Sequence, residues 1–293
     1  LGRNPDRTAI PYAEALMLIF SGLWKKMIAA NYLAVMIVEP VFNAPLAYGS
    51  GDLMLAAVAY AFQIYFDFSA YSSIAIGLAA ILGYRFPENF NQPYRSLSVQ
   101  EFWRRWHITL SSWLRDYVYI PLGGSRRKTP RIIINLMITM VLGGLWHGAN
   151  LTFLVWGTVH GLALVWVHLW HMTKLSGQLK VQLSYRVFAW LLTFLFLIGT
   201  WIVFRSPDLP TAGDYFTGIF TRPQAPELGS FLIVFLIALG FAGQFIPPTW
   251  RASMASWLSA RALGAQIGLF GAAMVGLMLI APSESAPFIY FQF

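Results

Sequence analysis

Two histidines in this sequence stand where a proton could be moved. His107 lies in Ser98-Val-Gln-Glu-Phe-Trp-Arg-Arg-Trp-His-Ile-Thr-Leu-Ser-Ser-Trp-Leu-Arg-Asp-Tyr117, a weave of tryptophans and arginines. His147 lies in Leu142-Gly-Gly-Leu-Trp-His-Gly-Ala149, among glycines and directly after Trp146. Neutral imidazole takes a proton from a hydroxyl near neutral pH, the task of a general base in acyl transfer. The chain has no cysteine, which excludes thiol nucleophiles, zinc-thiolate sites and disulfides. No carboxylate or further histidine stands at metal-ligand spacing, so no metal site is expected, and no glycine-rich phosphate loop is present. Two classes remain open: acyl transfer with a histidine base, or a proton-coupled transporter that uses buried His and Asp as a relay.

The element that must position His107 reads as one amphipathic helix of about five turns. Ser98 and Glu101 form a capping box at its start. At 100° per residue, Phe102, Trp103, Trp106, Leu110, Trp113, Leu114, Tyr117 and Val118 share a face. Glu101, Arg104, Arg105, Thr109, Ser111, Ser112, Arg115 and Asp116 take the other. Arginines opposite tryptophans mark a helix lying in the membrane interface. His107 falls between Trp103, Leu114 and Val118, at the border with Ser111, where burial favours neutral imidazole.

His147 needs a different support. No residue from Ile132 to Thr173 carries a formal charge, a run long enough for two helices with a hinge at Gly148-Ala149-Asn150. Helix from Arg131 to His147 would rise roughly 24 Å, placing His147 deep in the bilayer toward its outer side. Ionisable groups at that depth usually mark a site or pathway, although a helix-to-helix hydrogen bond packed by small residues is the plain structural alternative. His160 is expected to support His147 from a neighbouring turn, and His168 and His171 to be interfacial. Asp67, in Tyr65-Phe-Asp-Phe-Ser-Ala70, is a carboxylate within an apolar run, expected to pair with an arginine or to hold a histidine tautomer.

Composition supplies the setting. Of 293 residues 57% are hydrophobic and 11% charged, against about 25% charged in soluble domains. This describes an all-α polytopic membrane protein, read as a single membrane-embedded domain over residues 1–293. The net charge of +8 then reflects basic loops on one side and not a nucleic-acid partner. Apolar runs of roughly the 20 residues a bilayer requires are Pro11–Val38, Leu53–Gly83, Ile132–Trp146, Leu151–Trp170, Val187–Phe204, Phe231–Ile246 and Ala262–Ala281. Lys25-Lys26 interrupts the first, which reads as an interfacial or broken helix. With the cluster at 126–131 cytoplasmic, alternation leaves only Arg205 and Arg222 outside. The chain opens on Leu1 and is expected to lack its natural N-terminus.

Several segments resemble the membrane-bound O-acyltransferase family: Asn89-Phe-Asn-Gln-Pro-Tyr-Arg-Ser-Leu-Ser98, Glu101-Phe-Trp-Arg-Arg-Trp-His-Ile-Thr-Leu-Ser111, Trp113-Leu-Arg-Asp-Tyr-Val-Tyr-Ile-Pro-Leu-Gly-Gly124, Trp146-His-Gly-Ala149 and the ending Pro287-Phe-Ile-Tyr-Phe-Gln-Phe293. The likeness is to its bacterial branch, which acetylates alginate and D-alanylates teichoic acid. Family members are longer, with additional N-terminal spans. The resemblance implies a ring of helices around a thinned membrane centre, crossed by a tunnel, in the bacterial inner membrane. It implies a cytoplasmic thioester donor (acetyl-CoA or an acyl-carrier thioester), no bound cofactor, and an extracytoplasmic acetyltransferase partner of the polysaccharide machinery. It places the catalytic histidine at His147 and a second characteristic polar position at His107.

On that basis His147 is the expected base for an acceptor hydroxyl, with His107 orienting the donor carbonyl or binding the oxyanion. Trp103, Arg104, Arg105, Trp106, Ser111, Arg115, Asp116, Trp146, Asp67 and His160 are the expected binding and supporting residues. Arg104, Arg105 and the 126–131 cluster would attract an acidic donor or, equally, anionic lipid. Ser73 stands where the family commonly has aspartate, Leu151 where an aromatic is frequent, and Ser125 where asparagine is usual.

Overall fold

Apolar runs of this length have one stable solution in a bilayer, since a helix satisfies its own backbone. The computed structural model describes residues 10–173, 179, 182–282 and 287–288, and among them no strand occurs. Helix α1 (Tyr12–Trp24) continues without a break to residue 43, through wider π turns at Lys25–Ala30 and Ala34–Val38. The long α2 (Ser50–Ile81) is followed by two short helices, α3 (Val99–Trp103) and α4 (Ile108–Leu114). Next come the α5–α6 pair (Thr129–Leu145 and Leu151–His171), α7 (Leu183–Arg205) and α8 (Leu209–Thr221). The described chain closes with α9 (Phe231–Gly243), α10 (Pro248–Ser259) and α11 (Leu263–Ile280). By length and composition α2, α6, α7 and α11 can cross a membrane, while α5 and α9 are apolar but shorter. The protein is an all-helical polytopic membrane protein, with element bounds close to those its apolar runs predict.

Two expectations fail locally. The first apolar run does not break at Lys25-Lys26, because both ammonium groups are answered by polar groups. Lys25 donates to the Ser69 carbonyl at 3.0 Å and the Ser73 hydroxyl at 2.8 Å. Lys26 pairs with Asp67 at 2.7 Å. The five-turn helix around His107 is interrupted: residues 104–107 leave the helical path, and α4 starts afresh after His107.

The chain divides into two compact units. The first comprises residues 1–39, 62–89 and 230–292. In it α1 lies close against the second half of α2, where a methyl on Gly77 would stand 2.8 Å from the Ala15 carbonyl oxygen. The second comprises residues 40–61 and 90–229. Its α5 and α6 form an antiparallel hairpin whose glycines bring the two backbones together. A methyl on Gly157 would lie 2.5 Å from the Met140 carbonyl oxygen, and one on Gly144 would stand 3.1 Å from the Gly157 Cα. The start of α2 is clasped by the loop after α8. Asp52 accepts from the Glu227 and Leu228 amides at 2.9 and 2.8 Å, and Arg222 donates to the Pro45 and Leu46 carbonyls.

Candidate active site

The second unit brings together residues that are 40 positions apart in the sequence. The α5–α6 turn begins with 3₁₀-type bonds, His147 N–H to the Gly144 carbonyl at 3.0 Å and Gly148 N–H to the Leu145 carbonyl at 3.2 Å. It ends on Asn150, whose side chain accepts from the Thr152 amide and thereby starts α6. The Asn150 amide also donates to the Pro207 carbonyl at 2.8 Å, tying this turn to the one that follows α7. His147 is half-buried in a ring of aromatics: Trp146 and Phe204 at 5.0 Å, Trp156 at 5.4 Å and Phe153 at 6.0 Å between centroids.

His107 also packs on Trp146, its ring 6.0 Å from that indole and edge-on to it at 82°. Its backbone adopts φ 43°, ψ 55°, the left-handed region that non-glycine residues rarely occupy. This conformation makes it the N-cap of α4: the Leu110 amide donates to its Nδ1 at 3.4 Å, and the Thr109 hydroxyl lies at the same distance. A ring that accepts at Nδ1 carries its proton at Nε2, so His107 is set up as an Nε2–H donor. Burial pushes its pKa from 6.5 down to about 4, which keeps it neutral at physiological pH.

His160 is fully buried behind this pair. The Trp103 indole N–H donates to its Nδ1 at 3.2 Å, and its Nε2 lies 3.1 Å from the Thr200 hydroxyl, which donates onward to the Leu197 carbonyl at 3.0 Å. Each donor in that chain has one acceptor, so the Nε2–H tautomer follows. The sequence expectation placed His160 in support of His147 from a neighbouring turn. The structure puts Trp156 4.6 Å from His160 and 5.4 Å from His147, so the two histidines share an indole neighbour.

The other expected residues divide clearly. Trp103 and Trp146 belong to the cluster, and Trp106 is buried beneath it against Phe102, Tyr94 and Trp201. Ser111 donates to the Trp106 carbonyl at 3.2 Å and so closes the break between α3 and α4. Arg105 is held by Glu101 at 2.9 Å and by the Asn91 carbonyl at 3.1 Å, a local clamp. Arg104 is exposed, and Arg115 and Asp116 form an exposed ion pair with one another at 2.7 Å. Asp67 pairs with a lysine, Lys26, instead of an arginine, and both lie in the first unit. An apolar cavity of about 310 Å³ lies beside the cluster, lined by Trp156, Val159, Leu195, Phe196 and Thr200 among others, and by neither His107 nor His147. The sequence reading passed over Phe153, Trp156, Thr200 and Phe204. The aromatics at Trp156, Trp201 and Phe204 gave a usable signal, since they recur at helical spacing within otherwise aliphatic runs.

A helical membrane protein with two histidines about one tryptophan matches a known class. The membrane-bound O-acyltransferase family matches residues 52–203, and the chain belongs to it. It is 44% identical over 74% of its length to a probable alginate O-acetylase AlgI of Pseudomonas fluorescens, covering 42% of that protein. It is 38% identical over 99% of its length to a probable alginate O-acetylase AlgI of Pseudomonas putida, covering 63% of it. A peptidoglycan O-acetyltransferase of Helicobacter pylori is 40% identical over 67% of the chain, which covers 37% of that protein. The chain thus spans roughly two fifths to two thirds of these relatives' lengths.

Proposed function

We propose that this chain carries the acyl-transfer centre of a membrane O-acetyltransferase, which moves acetyl groups from a cytoplasmic thioester donor to a hydroxyl beyond the membrane. The observation that carries this reading is the pair of histidine rings packed on one indole, His107 at 6.0 Å and His147 at 5.0 Å from Trp146. His147 is the general base: it takes the proton of the acceptor hydroxyl as the oxygen attacks the thioester carbonyl. His107, with its proton at Nε2, donates to the carbonyl oxygen as negative charge develops there. The tetrahedral intermediate then expels the thiolate, which leaves with the proton. Base catalysis of this kind contributes about 10²–10⁴-fold, and one well-aimed oxyanion donor about 10²–10³-fold.

The substrate reading follows the relatives: an extracytoplasmic polysaccharide such as alginate, acetylated in a bacterial inner membrane together with an extracytoplasmic acetyltransferase partner. Acetyl-CoA or an acyl-carrier thioester serves as donor, and transfer of another acyl group, such as D-alanyl, is the alternative within the same chemistry. The exposed cations of the 126–131 loop, at the far end of α5 from His147, support an acidic donor or anionic lipid on that side.

The test is acyl transfer from a labelled thioester in detergent, where no sealed compartment exists and a transporter shows no signal. His147→Ala should abolish transfer while the protein still inserts and elutes as a single species. Retained transfer would remove His147 from the role of base.

A further inference from the structure

Resting on the acyl-transfer reading, we infer that Arg205 binds an oxyanion of the acceptor at the end of the helical unit that holds His147. Arg205 is the last residue of α7 and directly follows Phe204, whose ring packs 5.0 Å from His147. The bond from Asn150 to the Pro207 carbonyl joins the catalytic turn to the segment just after Arg205, so both belong to one end of this helical unit. That end is opposite the basic cluster at 126–131, because α5 starts within that cluster and runs 17 residues to the turn that holds His147.

The charge is uncommitted. Arg205 makes no hydrogen bond and no ion pair among the described residues, and its Nε is buried without a partner. Its guanidinium lies 6.0 Å from the Phe42 ring centroid, a contact that orients the group and leaves its N–H fork available. Nearby polar groups are occupied elsewhere. Asp208 caps α8 by accepting from the Thr211 amide at 2.8 Å, and Arg222 is spent on the Pro45, Leu46 and Asp214 carbonyls. Asp52 holds the Glu227 and Leu228 amides, Glu227 accepts from Gln224, and Asp214 is exposed on α8. A buried guanidinium donor without an acceptor is costly unless a ligand supplies one, and its planar fork matches carboxylate and phosphate oxygens. An acceptor that carries such a group beside its reactive hydroxyl would be held with that hydroxyl toward His147.

The experiment compares wild type with Arg205→Gln and Arg205→Lys, purified whole in detergent. The probes are three oligosaccharides on one backbone, bearing a carboxylate, a phosphate, or the carboxylate reduced to an alcohol. Direct binding is titrated alongside acyl transfer from a labelled thioester. Arg205→Gln should raise Kd and KM for the anionic probe roughly tenfold, leave the neutral probe within about twofold and change kcat little. Arg205→Lys should keep part of the preference. Whichever anionic probe wild type prefers over the neutral one identifies the oxyanion. Equal effects on charged and neutral probes, no effect on either, or loss of a copurifying anionic lipid with acceptor preference unchanged would each overturn the assignment. Arg205-dependent binding without any acyl transfer would sink the acyl-transfer reading alone. Transfer without Arg205-dependent preference would sink the binding role alone.

Discussion

At His107 the backbone and the side chain place different demands on any replacement. Its left-handed conformation costs an alanine roughly 1–2 kcal/mol, whereas glycine and asparagine adopt it readily. His107→Asn keeps the cap and a side-chain N–H, and should retain partial transfer. His107→Gly relieves the backbone but offers no donor, and should be stably folded with transfer close to that of His107→Ala. Equal activity in Asn and Gly variants would remove the donor role. The same residue has a pH signature. Between its folded pKa of about 4 and its ordinary 6.5, the unfolded chain binds a proton that the folded chain refuses. Its contribution to stability is therefore intact above about 6.5, is lost progressively as pH falls, and levels off below about 4. Thermal midpoints in detergent should fall less steeply across that window in His107→Asn than in wild type. Residue types alone made both histidines legible as candidates. The left-handed cap was not, since Arg104-Arg-Trp-His107 contains no glycine, asparagine or proline to announce it.

Among the elements, the α5–α6 hairpin sets the position of the turn that carries His147. A methyl on Gly157 would strike the Met140 carbonyl, and one on Gly144 the Phe153 carbonyl. Neither obstacle is the end of a flexible side chain, so the helices themselves must move. Gly157→Ala should destabilise by roughly 1–3 kcal/mol, as overpacking does, and should lower transfer by displacing His147. Gly199→Ala on α7 meets nothing within 4 Å and should be neutral or slightly stabilising, because alanine is the better helix former. Thermal melts of the two variants check this contrast. Apolar runs gave most helix bounds correctly, because in lipid a long apolar run has few alternatives to a helix. The break at residues 104–107 escaped the helical wheel for a physical reason. Phe102 before it and Leu110 and Leu114 after it are buried, while Trp113 and Tyr117 are exposed and stack on each other at 5.6 Å. A wheel averages such faces into one stripe.

For the whole molecule, the orientation we propose from the Lys/Arg distribution has the 126–131 loop in the cytoplasm and the His147 turn on the opposite side. The chain has no cysteine, so single substitutions test this directly. Ser125→Cys and Ala149→Cys, both exposed and at opposite ends of α5, should react with a membrane-impermeant maleimide from opposite faces. Labelling of both from one face would overturn the orientation. The membrane class and the family were legible from composition and from long motifs. The meeting of α3, α6 and α7 aromatics with Trp146 around His147 and His160 was not, because no local pattern encodes which helices pack together.

The glycine contact between α5 and α6 also bears on the size of the group transferred. With two backbones touching at Gly144 and Gly157, spreading the hairpin to admit a bulkier acyl chain would break its closest helix contact. Room for one has to be made by trimming the aromatic walls at Trp146, Phe153 or Phe204, which leaves the hairpin intact. Under the proposed mechanism, the acyl length this centre admits is set by the ring sizes at those three positions, while the hairpin glycines hold His147 in place for every donor.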